Sequence, residues 1–439
     1  MAGPALGSHL LTVRTKVAGW LARPLTSFQL ILAVFGMLCG IGLTMVLSAS
    51  TVDALTHERG AYGVFVKQVL YAFIGLVLFV LVLRVPPRLM RQISFPATVA
   101  SVLLLLLVAI PGIGAVRGGA RSWFIIGPLS FQPLELAKLA LALWGAHVLV
   151  VKRALLEQRR HLLVPVVPVA LVMCALLMLQ PELGGTITIV IVLFALLWFA
   201  GTPLPLFGAL SLGALSGALL LAVTAGYRSQ RVQTFLHPEA ADAQGAGYQS
   251  MQAMYAMGEG GFFGKGLGQS SSKYLYLPNA HNDFIFAVIG EELGMIGCAV
   301  VVLLFAVLAY TGLRIAARNT DPWIRLVSAV ITVWIVSQAV INIGYVIGLL
   351  PVTGLTLPLI SSGGTSMVST MVCFGVLANF ARHEPACISA LKSGSQGRIA
   401  KLLRLPVPDP YRPPMKRRPQ PITPPPLRGR PPAPGGGRR

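Results

Sequence analysis

Apolar runs of membrane-spanning length recur from about residue 29 to about residue 382, divided by short polar segments rich in Arg, Gly and Pro. About 20 apolar residues carry a helix across a bilayer. On that measure the pattern predicts ten spans, at roughly 29–49, 65–83, 94–111, 133–151, 163–180, 184–201, 204–225, 283–312, 324–349 and 363–382. The runs lack the alternation of barrel strands, and only helices and closed barrels satisfy their backbone in lipid. The expected fold class is all-α: a polytopic membrane protein with ten transmembrane helices and a disordered C-terminal tail.

The organisation follows from the same pattern. Residues 1–28 form an N-terminal segment, 29–382 the membrane domain with a large loop at 226–282, and 383–439 a basic, Pro-rich tail. Arg14, Lys16 and Arg23 precede a first run that is too long for a signal peptide and lacks a small-residue cleavage site, so it is expected to stay as a span. With the N-terminus inside, the inner segments before the tail hold 13 Lys and Arg and the outer segments 7, over far more residues. The positive-inside rule then puts both termini in the cytoplasm and the 226–282 loop outside. That loop, with aromatic residues, glycines and few prolines, is expected to be partly ordered and functional. From about Ser393 the chain is dense in Pro, Arg and Gly and cannot bury a core. It reads either as a solvated tail near anionic headgroups or as a docking segment for a cytoplasmic partner. No internal repeat is obvious.

Composition sharpens this picture. Of 439 residues, 55% are hydrophobic and 11% charged, against about a quarter charged in soluble domains, and the mean hydropathy is +0.75. A soluble protein is excluded. The net charge of +21 suggests nucleic acid at first, but 13 of the 35 Lys and Arg lie between Arg382 and Arg439. The charge belongs to the tail, and no nucleic-acid partner is expected. Cys39, Cys174, Cys298, Cys373 and Cys387 form no CxxC pair and read as packing residues.

Ionisable groups inside a bilayer are costly, which makes each a functional candidate. Lys67, Glu135, Lys138, Glu182, Asp283, Glu291 and Glu292 are the ones present. Glu135 and Lys138, three apart in "FQPLELAK", share a helix face; they either neutralise one another or present a cation to an anionic headgroup. Glu182 in "QPELGG" reads first as a helix-terminus acid. Asp283 in "LPNAHNDFIFAVIGEELG" stands where a polar loop turns into a long apolar helix. Locally it reads as a helix N-cap or first-turn acid, yet it also reaches both the aqueous face and the headgroup plane. Glu291 and Glu292 lie about 12 Å further along the helix, too far to share a proton with Asp283, and are expected to pack. Ala287, Gly290 and Gly294 mark a close helix contact. Two Gly-rich segments, "GEGGFFGKGLGQSSSKYLYLP" and "LLPVTGLTLPLISSGGTS", lack the spacing of a Walker loop.

Taken in order, "FQPLELAK", "QPELGG", the long loop from "GYRSQRVQTF" to "GKGLGQS", "YLPNAHNDFIFAVIGEELG" and "GLLPVTGLTLPLISSGGTS" resemble the SEDS family of shape, elongation, division and sporulation proteins. The likeness runs from the first span to the tenth. "INIGYVIGLLPVTGL" and the long Pro/Arg-rich tail are more similar to the septal, FtsW-like branch, actinobacterial members in particular, than to the RodA-like elongation branch. The sequence departs from the family where Leu134 and Glu182 stand and where "RGGARSW" replaces the usual residues before the arginine–tryptophan motif, leaving Arg121 as the matching arginine.

The resemblance implies the SEDS fold and a peptidoglycan glycosyltransferase of the cytoplasmic membrane, polymerising lipid II into β-1,4 glycan on the outer face at the division septum. It implies lipid II and nascent glycan, a class B penicillin-binding protein and divisome proteins as partners. Asp283 matches the family's proposed catalytic Asp, a general base on the acceptor 4-hydroxyl, with undecaprenyl pyrophosphate leaving. Arg121 and Lys138, with Glu135 beside them, match positions at the outer cavity and are the first candidates to hold the pyrophosphate; Arg228, Arg231 and Lys265 are second. His281 is expected to be a loop or orienting residue. A divalent ion, Mg or Mn, is implied, although the sequence shows no ligand cluster; no organic cofactor is expected. Competing readings are a lipid II flippase using Arg121, Lys138 and Glu135 as a headgroup path, a RodA-like lateral-wall polymerase, and a division scaffold acting through the tail.

Overall fold

The structure is a computed structural model and describes residues 19–56, 63–127, 129–155, 158–224, 235, 246–270, 281–394 and 398–411. Helices form wherever the sequence is apolar on every face over a bilayer's depth, because a main chain in lipid must close its own hydrogen bonds. In chain order they are α1 (Thr26–Thr56), α2 (Gly63–Arg84), α3 (Pro87–Ala109), α4 (Pro133–Val151), α5 (Val166–Leu179), α6 (Leu183–Phe199) and α7 (Leu204–Thr224), then α8 (Ala246–Gly260), α9 (Ile285–Arg318), α10 (Pro322–Val346), α11 (Gly364–Arg382) and α12 (Pro385–Lys392). Seven of them, α1 to α4 and α9 to α11, are long and apolar enough to cross a membrane, and α5 to α7 are shorter apolar helices. The chain is a multi-pass membrane protein, and these helices coincide with the runs predicted from sequence. Prolines set several starts: Pro87, Pro133 and Pro322 occupy first turns, where a missing N–H costs nothing.

The eighth span departs from expectation. It is predicted as one continuous helix, but Gly294 (φ 68°, ψ −165°) breaks α9 into 285–293 and 295–318. The break opens the carbonyls of Glu291 and Glu292 and the amides of Met295 and Ile296. The loop after α8 closes all four: the Lys265 and Gly266 amides donate to Glu291 and Glu292 at 2.9 and 3.0 Å, and the Met295 and Ile296 amides donate to Gly261 and Phe262 at 2.9 and 3.4 Å. Glycine is required on both sides, since a Cβ at Gly294 would strike the Gly264 amide and one at Gly260 the Gly290 carbonyl. The close contact predicted at Gly290 and Gly294 therefore exists, with a loop as well as a helix.

The all-α expectation also lacks a small antiparallel meander, β1 (Ala115–Arg117), β2 (Ala120–Ile126) and β3 (Leu129–Phe131). Arg117 pairs with Ala120 around Gly118 and Gly119, both at positive φ, the two-residue turn whose twist suits a hairpin.

Contacts between helix ends define two ends of the bundle. At one, the Ser362 amide donates to the His281 carbonyl at 3.0 Å and the Thr365 hydroxyl to Ser130 at 3.0 Å. At the other, Arg91 forms a two-pronged pair with Asp321 at 2.9 and 3.0 Å and lies over the Trp323 ring. There Asn379 donates to the carbonyls of Val82 and Val85, and Glu384 is buried 3.8 Å from Arg318. The tail starts later than the sequence suggests. Residues 398–411 fold against this basic end, held by Arg84 on the Leu403 carbonyl (3.0 Å) and Arg382 on that of Pro406 (2.8 Å), with Leu405 buried. Those contacts, which composition cannot reveal, order a segment otherwise read as disordered; residues 412–439 lie outside the described residues.

Candidate functional site

Asp283 sits, partly buried, in the turn that leads into α9. Two side chains one turn apart on α10 hold that turn. Asn342 Nδ2 donates to the carbonyls of Asp283 and Leu355 at 3.0 and 2.7 Å, and the Tyr345 hydroxyl, with its one proton, lies between the same two carbonyls at 2.9 and 2.7 Å. Both side chains are fully buried, and Phe284 packs edge-on against the Tyr345 ring. The clamp joins the Asp283 turn to the Gly/Pro-rich segment between α10 and α11. Gly354, at φ 73°, brings its backbone next to the acid: a Cβ there would lie 3.9 Å from Asp283 Oδ2.

That connecting segment is the hub of this end. Its Thr353 carbonyl would lie 2.8 Å from a Cβ on Gly184, so the start of α6 presses against it. Its Thr356 carbonyl accepts from Gln338 at 3.0 Å, and the Ser361 carbonyl accepts from Gln68 at 3.3 Å. Residues 353–355 thus run between Glu182's helix and the Asp283 turn.

A second group of charges lies deeper. Lys138 Nζ meets Glu135 Oε1 at 2.8 Å, the other Glu135 oxygen accepts from the Ser369 hydroxyl at 2.9 Å, and the ammonium stands 4.8 Å over the Trp334 ring. Lys138 is 2% exposed. Of the alternatives left by sequence, the self-neutralising pair is present, which by itself does not remove a substrate role. Gln132 donates to Glu182 at 3.1 Å, bringing Glu182 into the same region.

The other candidates stand apart. Arg121 is on β2, partly buried, its stem along Gly114 and on the strand face opposite the buried Ser122. Lys265 is bound by Glu259 and, at 3.2 Å, by the fully buried Glu291, whose second oxygen accepts from Ser270 at 2.6 Å. Glu259 holds its ammonium above the ordinary lysine range. Glu292 accepts from Ser48 at 2.6 and 2.8 Å, so both glutamates pack as expected. His281 contributes its carbonyl to Ser362. Arg228 and Arg231 lie outside the described residues. Among the described residues no group of three or more His, Cys, Asp or Glu stands together to hold a metal ion.

Sequence reading missed the clamp residues Asn342 and Tyr345 and the partners Gln132, Ser369 and Trp334. Asn342 and Tyr345 share a helix face in "INIGY", the one signal that would have found them.

The family model described as cell cycle protein FtsW/RodA/SpoVE matches residues 28–386. The chain belongs to the FtsW/RodA/SpoVE family. A curated relative, the probable peptidoglycan glycosyltransferase FtsW of Mycobacterium tuberculosis, is 50% identical over 401 residues, covering 91% of this chain and 76% of the relative. Among solved structures, a chain of a peptidoglycan synthase complex that coordinates polymerization and crosslinking is similar at TM-score 0.65 and 28% identity, over 81% of this chain and 97% of that one. The RodA crystal structure from Thermus thermophilus is similar at TM-score 0.59 and 28% identity, over 84% and 99%. This FtsW/RodA/SpoVE chain therefore has the fold that its motifs imply.

Proposed function

We propose that the chain is a peptidoglycan glycosyltransferase of the septal kind, polymerising lipid II on the outer face of the cytoplasmic membrane beside a class B penicillin-binding protein and the divisome. The relative named above as a probable peptidoglycan glycosyltransferase supports the activity, and the basic end supports the proposed orientation of the ten-span chain, both termini inside and Asp283 outside.

One observation carries the catalytic reading. Asp283 is fastened through its carbonyl, in a turn pinned by Asn342 and Tyr345 against the Gly354 backbone, at the end of the bundle opposite Arg84, Arg91, Arg318 and Arg382. A general base must be held still at the reacting atom. In the step, a sugar 4-hydroxyl on the acceptor gives its proton to the Asp283 carboxylate. Its oxygen attacks the donor's anomeric carbon, the bond from that carbon to the phosphate oxygen breaks with inversion, and undecaprenyl pyrophosphate leaves. Arg121 and Lys138 are the proposed counter-charges for the pyrophosphate, with Glu135 setting Lys138. Arg228, Arg231 and Lys265 are secondary, and His281 orients the turn. A divalent cation would add charge stabilisation, and no step is assigned to it.

The test is glycan synthesis from purified lipid II by the chain with its transpeptidase partner, wild type against Asp283→Asn. Loss of product in the folded variant supports the base; full product from the amide overturns it. Imaging the protein in dividing cells tests the septal assignment.

A further inference from the structure

The closure of the broken helix fixes where the Gly-rich loop's side chains go. Its four main-chain bonds lock residues 261–266 along 291–296, the Gly264 amide donates to the Gly260 carbonyl at 2.8 Å, and the Lys265–Glu259 ion pair ties the loop's base. With the backbone so used, Phe262 and Phe263 project outward, 65% and 83% exposed. The Ile296 amide donates to the Phe262 carbonyl and the Met295 amide to that of the preceding Gly261, so the loop stands level with Met295 and Ile296, which are themselves 54% and 51% exposed.

That level has a meaning for the bilayer. Residues 295–318 of α9 rise about 36 Å at the helical spacing, slightly more than the roughly 30 Å of hydrocarbon. The break at Gly294 therefore falls at the polar–apolar boundary. Below it the exposed side of α9 continues through Val302, Leu303 and Tyr310, an apolar stripe of the kind that a membrane-spanning helix turns to lipid. The two phenylalanines extend this stripe by one step, and charged Glu259 and Lys265 flank them on the loop. Phe, with Trp and Leu, forms the apolar side of segments that lie at this depth, beside charged residues on the polar side.

We propose that the Phe262–Phe263 loop is an interfacial anchor whose partner is the lipid of the leaflet at the Asp283 end. It holds the junction of α8 and α9 at the membrane surface. The anchor rests on the membrane reading of α9 and not on which side chain catalyses.

The test uses the full-length chain with p-benzoylphenylalanine in place of Phe263, reconstituted in nanodiscs of phosphatidylethanolamine and phosphatidylglycerol and irradiated. The same probe at Leu303 reports a lipid-facing site and at exposed Gln269 an aqueous one. Since the apolar face of an interfacial segment is buried into the headgroup–acyl boundary, adducts at 263 are expected within about twofold of those at 303 and well above those at 269. A yield at 263 no higher than at 269 overturns the proposal. So does predominant crosslinking to a protein when the same variant is irradiated in cell membranes. A gel-filtration profile matching wild type confirms that each probe variant is folded.

Discussion

Two carboxylates at the same end of the bundle are held in opposite ways. Glu135 is sealed: one oxygen meets Lys138, the other accepts from Ser369, and the pair is buried against Trp334. Asp283 is partly exposed, and the bonds that pin its turn run through its carbonyl. A sealed ion pair is costly to break and slow to engage a substrate. An acid held by its main chain keeps a fixed position while its carboxylate does chemistry.

The sharpest way to break this contrast is Asp283→Asn. General-base loss is worth roughly 10²–10⁴ in rate, so lipid II polymerisation should fall by about two orders of magnitude or more. Thermal unfolding should be nearly unchanged, because the carbonyl bonds from Asn342 and Tyr345 survive. An active variant would place Asp283 in the same structural class as Glu135.

Next in size is Lys138→Met. Removing one partner of a buried pair costs about 3–5 kcal/mol, read as a lowered melting temperature in detergent. Adding Glu135→Leu should recover most of that loss. The double variant then sharpens the comparison: stable and inactive, it shows that the Lys138 cation also serves substrate; stable and active, it leaves the pair purely structural.

Much of this was legible in the sequence. Spans are long-range composition, so their positions read directly, and the rare intramembrane charges pointed to both carboxylate sites. The Glu135–Lys138 pair follows from helix spacing alone. What was not legible depends on partners far along the chain. The break at Gly294 needs the loop around Gly264, thirty residues earlier, to satisfy the opened backbone. The clamp at Asp283 needs residues near 342 and 355, which no local pattern joins. The order of residues 398–411 depends on Arg84 and Arg382, and the tail's composition argues against it.

Tyr345→Phe tests the restraint itself. It keeps the ring against Phe284 and removes the hydroxyl's bonds to the carbonyls of Asp283 and Leu355. Each net bond is worth about 1 kcal/mol, and the looser turn should lower turnover by about tenfold with KM little changed, since positioning acts on the chemical step. Asn342 retains part of the clamp, which keeps the effect below that of Asp283→Asn. Turnover equal to wild type would mean that main-chain restraint does not distinguish Asp283 from Glu135.

The smallest expected effect comes from Gly354→Ala. Its φ of 73° is left-handed backbone, which an L side chain occupies at a cost of about 1–2 kcal/mol, so the melting temperature should drop modestly. The new methyl would stand 3.9 Å from Asp283 Oδ2, ordinary contact that displaces water beside the acid without moving it. Turnover should therefore change less than for Tyr345→Phe, while the acidic limb of the pH–rate profile moves up, because desolvation disfavours the ionised carboxylate. A shift in that limb with turnover largely kept ties Gly354 to the acid's surroundings. A fall in stability with an unmoved limb would assign the glycine to backbone conformation alone.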